Sequence, residues 1–342
     1  MRTLLVLLVA LVASGGIAAA SPGSSIKLTE VRYPKATAVP AGSRMLKAGV
    51  LFWSNDVTSL SASDSTLYIG TSTSVQQVNA ASTTFGAQLL RGAEAADIVS
   101  YEGDLWAADY DAAVVREIDE ATGQVVATVQ LGVDGTPESL AVADGSIWVA
   151  EHHRGVVARI DPATATVTAS VSVEPPQSGG PQGLAYGAGS LWLTLGNIGQ
   201  VVRIDPTTDQ IVARIHAPSQ MQVCGGIAVG VTSVWVTSCL EETIVIRIST
   251  ATNKVVSLLD LHQKSVQPAT QGDTAWFVVG RDPGDPNAGS QHAYLVQLSN
   301  RDRVLRRYDL GSHFTAGDAT VAFGSLWASS WGTPWLARVP LP

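Results

Sequence analysis

The sequence predicts an all-β chain folded as a seven-bladed β-propeller, with four strands to a blade and a ring closed by an N-terminal strand that completes the last blade. The first observation is a motif that recurs seven times. Gly103-Asp104-Leu105-Trp106 returns as Gly145-Ser146-Ile147-Trp148, Gly189-Ser190-Leu191-Trp192 and Gly324-Ser325-Leu326-Trp327. Looser copies are Ser65-Thr66-Leu67-Tyr68, Thr232-Ser233-Val234-Trp235 and Asp273-Thr274-Ala275-Trp276. The second is the spacing. The aromatic residues stand at 68, 106, 148, 192, 235, 276 and 327, and a period near forty filled by short alternating segments is what a propeller blade needs. The third is a count from the aromatic to the last apolar residue of the following strand. It is twelve in four blades: Trp106 to Ile118, Trp148 to Ile160, Trp192 to Ile204 and Trp327 to Val339. Val339 lies so near Pro342 that blade 7 has no room for its fourth strand, which is therefore expected between Ile26 and Trp53.

Each element follows in chain order. Residues 1–20 have the pattern of a secretory signal peptide: Arg2, an apolar run from Leu4 to Val12, then Ala18-Ala19-Ala20 before Ser21. Residues 21–56 form a leader that contains the closing strand, and residues 57–342 form the propeller. Blade 4 shows the strand order most plainly. Gln182–Tyr186 reads as inner strand a, Ser190–Thr194 as b, Gln200–Ile204 as c and Ile211–Ile215 as d. The turn before strand d is Asp205-Pro206-Thr207-Thr208, in which proline presets the backbone and the aspartate can accept from the amides that follow. Asp161-Pro162-Ala163-Thr164 repeats it, and Asp119 to Gly123 varies it with a glycine suited to a bulge. An aromatic repeated once per blade belongs to packing between blades rather than to a ligand surface.

Charge limits the partners. The chain is acidic overall, with a formal net charge of −8, and from Ala48 onward 15 basic residues face 28 acidic ones. Such a body repels phosphate backbones and anionic lipid heads, so nucleic acid is excluded as a partner. No later run is long and uncharged enough to insert in a membrane. The expected protein is a secreted monomer, extracellular or periplasmic, whose partner is a small molecule, a peptide or an extracellular protein.

The string G-S-L-W-V-A, a gap, V-V-R-I-D-P-x-T and V-x-A-x-I, clearest over Gly145–Val167 and Gly189–Ile215, resembles the YVTN and streptogramin-lyase-like propeller superfamily. The resemblance spans roughly Val57 to Pro342. It implies the propeller fold, and for function either a secreted binding protein, a sensor domain, or a metal-dependent lyase with a magnesium site and a catalytic histidine near the channel mouth. The starts of strand a here read Thr136-Pro137-Glu138, Gly180-Pro181-Gln182 and Val266-Gln267-Pro268, with no histidine.

Loops between blades and between strands b and c share one face of the disc, and binding residues are sought there. Blade 3 offers Glu151-His152-His153-Arg154, a carboxylate beside imidazoles that suits a divalent ion or proton transfer. Glu138 starts strand a of the same blade and is expected close to Glu151, a pairing able to hold a cation. Asp109 and Tyr110 occupy the matching loop of blade 2. His313 and Asp318 precede strand a of blade 7, and Trp331 lies in its b–c loop. Blade 6 carries an insertion, with 22 residues from Trp276 to Leu298. The added segment, Arg281 to Gly289, is rich in Asp and Asn oxygens. Cys224 and Cys239 flank the a–b hairpin of blade 5 symmetrically, and in an exported protein a disulfide is the default reading.

Two functions fit. The first is a secreted binding or scaffold propeller, with a ligand or partner on the face rimmed by Asp109, Tyr110, Glu138, Glu151, His152, Arg281, His313 and Trp331. The second is a metal-dependent lyase or lactone hydrolase. There Glu138 and Glu151 would hold magnesium or calcium, and His152 or His313 would move the proton.

Overall fold

The computed structural model describes residues 26–48, 57–176, 178–218, 221–238, 243–281 and 291–341. The signal-peptide reading, most of the blade 6 insertion and Cys239 lie outside these residues. Seven antiparallel sheets follow one another in sequence. Blade 4 has strands Pro181–Gly187, Ser190–Leu195, Gln200–Asp205 and Gln210–His216, within a residue or two of the expected spans.

The repeated motif owes its form to three contacts. The aromatic of strand b is buried in every blade. It packs into the following blade: Trp148 lies in one cluster with Leu184, Leu191 and Val202, and Trp192 in another with Val223, Val234 and Val236. Trp327 closes the circle against Leu67 and Ile69 of blade 1. Directly across the sheet stands the arginine of the V-V-R-I string, as in Trp192↔Arg203 and Trp148↔Arg159. Its guanidinium lies over the indole, 4.9 Å from the ring centre for Arg203 and 5.6 Å for Arg159. The motif serine then accepts from the arginine Nε, at 2.9 Å for Ser190 and Ser146. One buried ring, one cation and one hydroxyl thus explain why Ser, Trp and Arg recur together.

The aspartate turns form as their residues predict. Asp205 Oδ1 accepts from the Thr207 amide at 2.9 Å, and Asp119 Oδ1 from that of Thr122 at 2.6 Å. A register shift follows at the same place in blades 2 to 5, between Glu117 and Ile118 and between Arg203 and Ile204, for example.

The leader does more than expected. Its strand β3 (Arg44–Lys47) pairs antiparallel with Trp335–Pro340 and completes blade 7. Before that, β1 (Leu28–Glu30) adds a parallel fifth strand to the outer edge of blade 5, and β2 (Thr37–Ala38) does so on blade 6. An outer edge leaves backbone groups unpaired, and any extended segment laid beside it can use them. Side chains fasten this strap. Val31 is buried among blade 5 and 6 residues, and the Tyr33 hydroxyl donates to the Leu261 carbonyl at 2.8 Å. Arg307 sits 4.7 Å from the Tyr33 ring centre and 3.7 Å from that of Tyr294.

A chain begun at Ala48 loses all three leader strands. It is expected to unfold at a lower urea concentration than the full chain and to self-associate through the opened edge of blade 7, as read by denaturation and sedimentation. An unchanged midpoint would show that the leader adds nothing to the ring.

Candidate functional site

Strand a of each blade lines the central channel, which opens into a cavity of about 660 Å³. The position two residues before the partner of the aromatic recurs around it as Ser59, Asp97, Ser139, Gly183, Gly226, Gln267 and Asp318. At Asp97, Ser139, Gln267 and Asp318 this residue bridges blades. Asp97 accepts from the Ser139 hydroxyl and the Leu140 amide, both at 2.8 Å. Ser139 accepts in turn from the Leu184 amide at 3.1 Å. Gln267 binds both backbone groups of Ile227, at 3.1 and 2.7 Å, and Asp318 accepts from the Gln267 amide at 3.3 Å. Burial raises the Asp97 carboxyl above its ordinary range. This belt occupies the channel wall and joins blades.

Above the belt, at the mouth, the polar groups are less satisfied. Glu138 falls where the hairpin register of blade 3 shifts, between Pro137 and Ser139. It lines the cavity. Burial, reinforced by the charge of Glu94, pushes its carboxyl up to about 7. His152 Nδ1 lies 3.8 Å from Glu138 Oε1, too far for a hydrogen bond. Burial and neighbouring His153 hold the imidazole below its ordinary pKa, while a hydrogen bond to the Pro181 backbone opposes them. His152 Nδ1 is buried without a partner. Gln182, next to Pro181 in the chain, also lines the cavity with a buried, unpartnered Oε1. Tyr110 stands within the field of both carboxylates: burial raises its hydroxyl first, then Glu138 and Glu94.

Gly180 allows this arrangement. Its φ is +60°, and a Cβ there would lie 2.0 Å from the His152 carbonyl oxygen, so only glycine lets the strand a entrance of blade 4 run beside the His152 turn. The turn also settles how the two histidines lie. They stand together with ring centres 5.3 Å apart, where a strand would have sent them to opposite faces.

The expected pairing of Glu138 with Glu151 is not what the side chains adopt. Glu151 is fully buried, and both its oxygens accept from Arg154 Nη1, at 3.0 and 2.8 Å. Arg154 pulls its carboxyl down, but burial prevails and raises it. Asp109 is equally committed, 1% exposed, with Arg116 Nε at 2.8 Å and the Ala112 amide at 3.1 Å. His313 is exposed and stacked on Trp335 with centres 5.5 Å apart. Trp331 lies under Lys264, whose Nζ is 4.6 Å from the ring centre. Arg281 Nε is buried without a hydrogen-bond partner. Among the described residues no three His, Cys, Asp or Glu side chains form a set able to hold a metal ion. Cys224 lines the channel in the shifted part of the blade 5 hairpin, where Val223 rather than Cys224 follows Ile227 in the pairing. The sequence reading missed Glu94, Gln182 and Lys264. Aligning the blades on their aromatics would have flagged Gln182, which stands at the position of Glu138.

Comparison with other proteins agrees on architecture. A family model described as a repeat of unknown function (DUF6923) matches residues 49–225, just over half of the chain. No curated protein matches by sequence. Among solved structures, a chain of the mitotic checkpoint complex superposes with a TM-score of 0.70 at 13% identity, covering 91% of this chain and 98% of that one. Virginiamycin B lyase from Staphylococcus aureus gives 0.67 at 15% identity, covering 88% and 99%. Kuenenia stuttgartiensis hydrazine synthase gives 0.65 at 14%, covering 90% and 99%. At such identities the likeness is one of fold, and it supports the lyase-like propeller resemblance at that level.

The Glu138 carboxyl has a pH signature. Its ordinary value is 4.5 and its folded value about 7, so between these the folded chain holds a proton that the unfolded chain has released. That contribution is complete below about pH 4.5 and is lost as pH rises through 7. Relative to Glu138→Gln, wild-type stability is expected to decline across this window by up to about 1.4 kcal/mol per pH unit, in urea titrations at stepped pH. A flat difference would show that Glu138 ionises in the fold as it does unfolded.

Proposed function

We propose that this chain, which belongs to the DUF6923 repeat family, is a secreted binding propeller that holds a small molecule or peptide at the mouth of its central channel. One observation carries the reading: Glu138 and Gln182 line the cavity with His152 beside Glu138, and His152 Nδ1 and Gln182 Oε1 are buried polar atoms with no partner in the protein. Buried polar groups are normally satisfied, and leaving them open costs about 1–3 kcal/mol each. A ligand that hydrogen-bonds to them recovers this cost. Binding rather than turnover is favoured because the residues of the lyase reading have separate partners: Glu151 holds Arg154, His313 stacks on Trp335, and Glu138 faces His152. An ion at the Glu138 carboxylate would meet the Glu94 charge and the His152 ring, without Glu151.

Export and a Cys224–Cys239 disulfide belong to the same proposal. They are supported by the N-terminal pattern and by the chain having only these two cysteines.

Native mass spectrometry of the protein mixed with pools of amino acids, sugars, nucleosides and short peptides tests the binding reading. Adducts are expected on the wild type that leave unchanged in mass and weaken by roughly tenfold or more on Glu138→Gln and Gln182→Ala. Adducts of equal strength on the variants would place binding elsewhere, and products of altered mass would favour the enzyme. For the disulfide, no reactive thiol is expected on titration of the unreduced denatured protein. Two would exclude it.

A further inference from the structure

Charge is shared unevenly between the N-terminal strap and the disc it fastens. Residues 26–48 carry Lys27, Arg32, Lys35, Arg44 and Lys47 against Glu30 alone, and all five cations are exposed. The strap lays them along the outer edges of three consecutive blades, 5, 6 and 7. Residues 300–308 at the outer edge of blade 6 extend the surface with Arg301, Arg303, Arg306 and Arg307 against Asp302. After residue 48 the rest of the chain has 11 basic and 27 acidic residues. A basic stripe thus crosses the rim of an acidic body.

Contact joins the two groups of cations. Arg307 lies against the Tyr33 ring, and its Nη1 donates to the Pro34 carbonyl at 3.4 Å, between Arg32 and Lys35 in the chain. The acids on the same hairpin are engaged elsewhere, Asp302 by Arg247 and Asp309 by His292, each at 2.8 Å. Among the described residues none of the nine cations forms an ion pair. The strap holds the disc by its backbone bonds, Val31 and Tyr33. Its positive charges serve none of these contacts, and they face outward.

We infer that this stripe docks a linear acidic polysaccharide, whose carboxylates meet the cations of the strap and of blade 6. The surface is separate from the channel mouth and does not depend on the reading given for it. The outer wall of a propeller is convex, so a rigid partner meets few blades, whereas a flexible chain can follow it across three. Charge density chooses among chains. An extended segment advances about 3.3 Å per residue, which sets neighbouring strap cations on the order of 10 Å apart. Duplex DNA carries one charge per roughly 1.7 Å of its axis, and its excess phosphates would meet the repulsion of the acidic disc. A glycan with a carboxylate on each sugar or each second sugar suits the stripe in sign and spacing. The arginine forks can take such carboxylates with two hydrogen bonds each.

Fluorescence anisotropy of labelled oligogalacturonate, titrated with the full chain in the absence of divalent ions, tests this. Binding is expected, and it is expected to weaken as salt is added. Replacing Arg32 and Lys35 by Gln, or Arg301 and Arg303 by Gln, is expected to weaken it roughly three- to tenfold per pair. The exposed Arg91→Gln, on blade 1, is expected to change nothing. Thermal melts check that each variant folds. The methyl-esterified oligomer, which keeps the sugars and loses the charges, is expected not to bind. Equal binding of the ester, indifference to both double variants, or no binding at low salt would overturn the inference. Single-stranded DNA held more tightly than the glycan at the same salt, through the same arginines, would give the stripe to nucleic acid instead. Self-association in sedimentation that disappears in the double variants would make it a contact between copies.

Discussion

In each blade a flat aromatic ring lies buried between its own sheet and the next, with a guanidinium on one side in four of the seven. A ring of this size buries enough apolar surface to dominate a local core. Because each one reaches forward into the following blade, the seven contacts form a closed series rather than a stack with two ends. Trp327 against Leu67 and Ile69 is the member that joins last to first. Strands, turns and bulges are arranged so that these rings meet their neighbours. The serine that accepts from the arginine and the aspartate that tightens the turn both hold strand c in the register that places the arginine over the indole.

Blades that depart from the pattern keep its geometry with other chemistry. Blade 6 sets Gln297 opposite Trp276, and its amide donates to Thr274 at 3.0 Å where other blades use arginine and serine. Blade 2 sets Glu117 opposite Trp106 and Asp104 at the serine position. Burial raises both carboxyls, with the charge of Asp119 adding to it at Asp104 and that of Asp104 at Glu117.

This difference between frame and departure sets what could be read from the residues. Trp, Ser and Arg recur at fixed spacing because they touch one another within a hairpin, so local pattern revealed strands, turns and the missing outer strand of blade 7. The parallel strands at Leu28 and Thr37 left no trace, since their partners at Leu258 and Tyr308 lie more than two hundred residues away and a two- or three-residue strand has no periodicity. At the mouth, Glu138 and His152 stood out as chemistry-bearing residues. Their association with Gln182, and the diversion of Glu151 to Arg154, depend on a register shift and a tight turn that no spacing rule reveals.

The strap has a consequence for the order in which the molecule assembles. Its three strands are among the earliest made on a growing chain, yet each needs an edge that is among the last: blades 5, 6 and 7. Four blades can stack on one another as they emerge, while the segment from Leu28 to Lys47 waits without a partner. Pairing Leu28 with Leu258 or Leu46 with Leu336 closes a very long loop, whose entropy must be met in one step. Ring formation is therefore a late event that locks newly made blades to the oldest part of the chain. An incomplete chain would carry both an unpaired leader and an open blade edge, the two features most prone to pair with another copy.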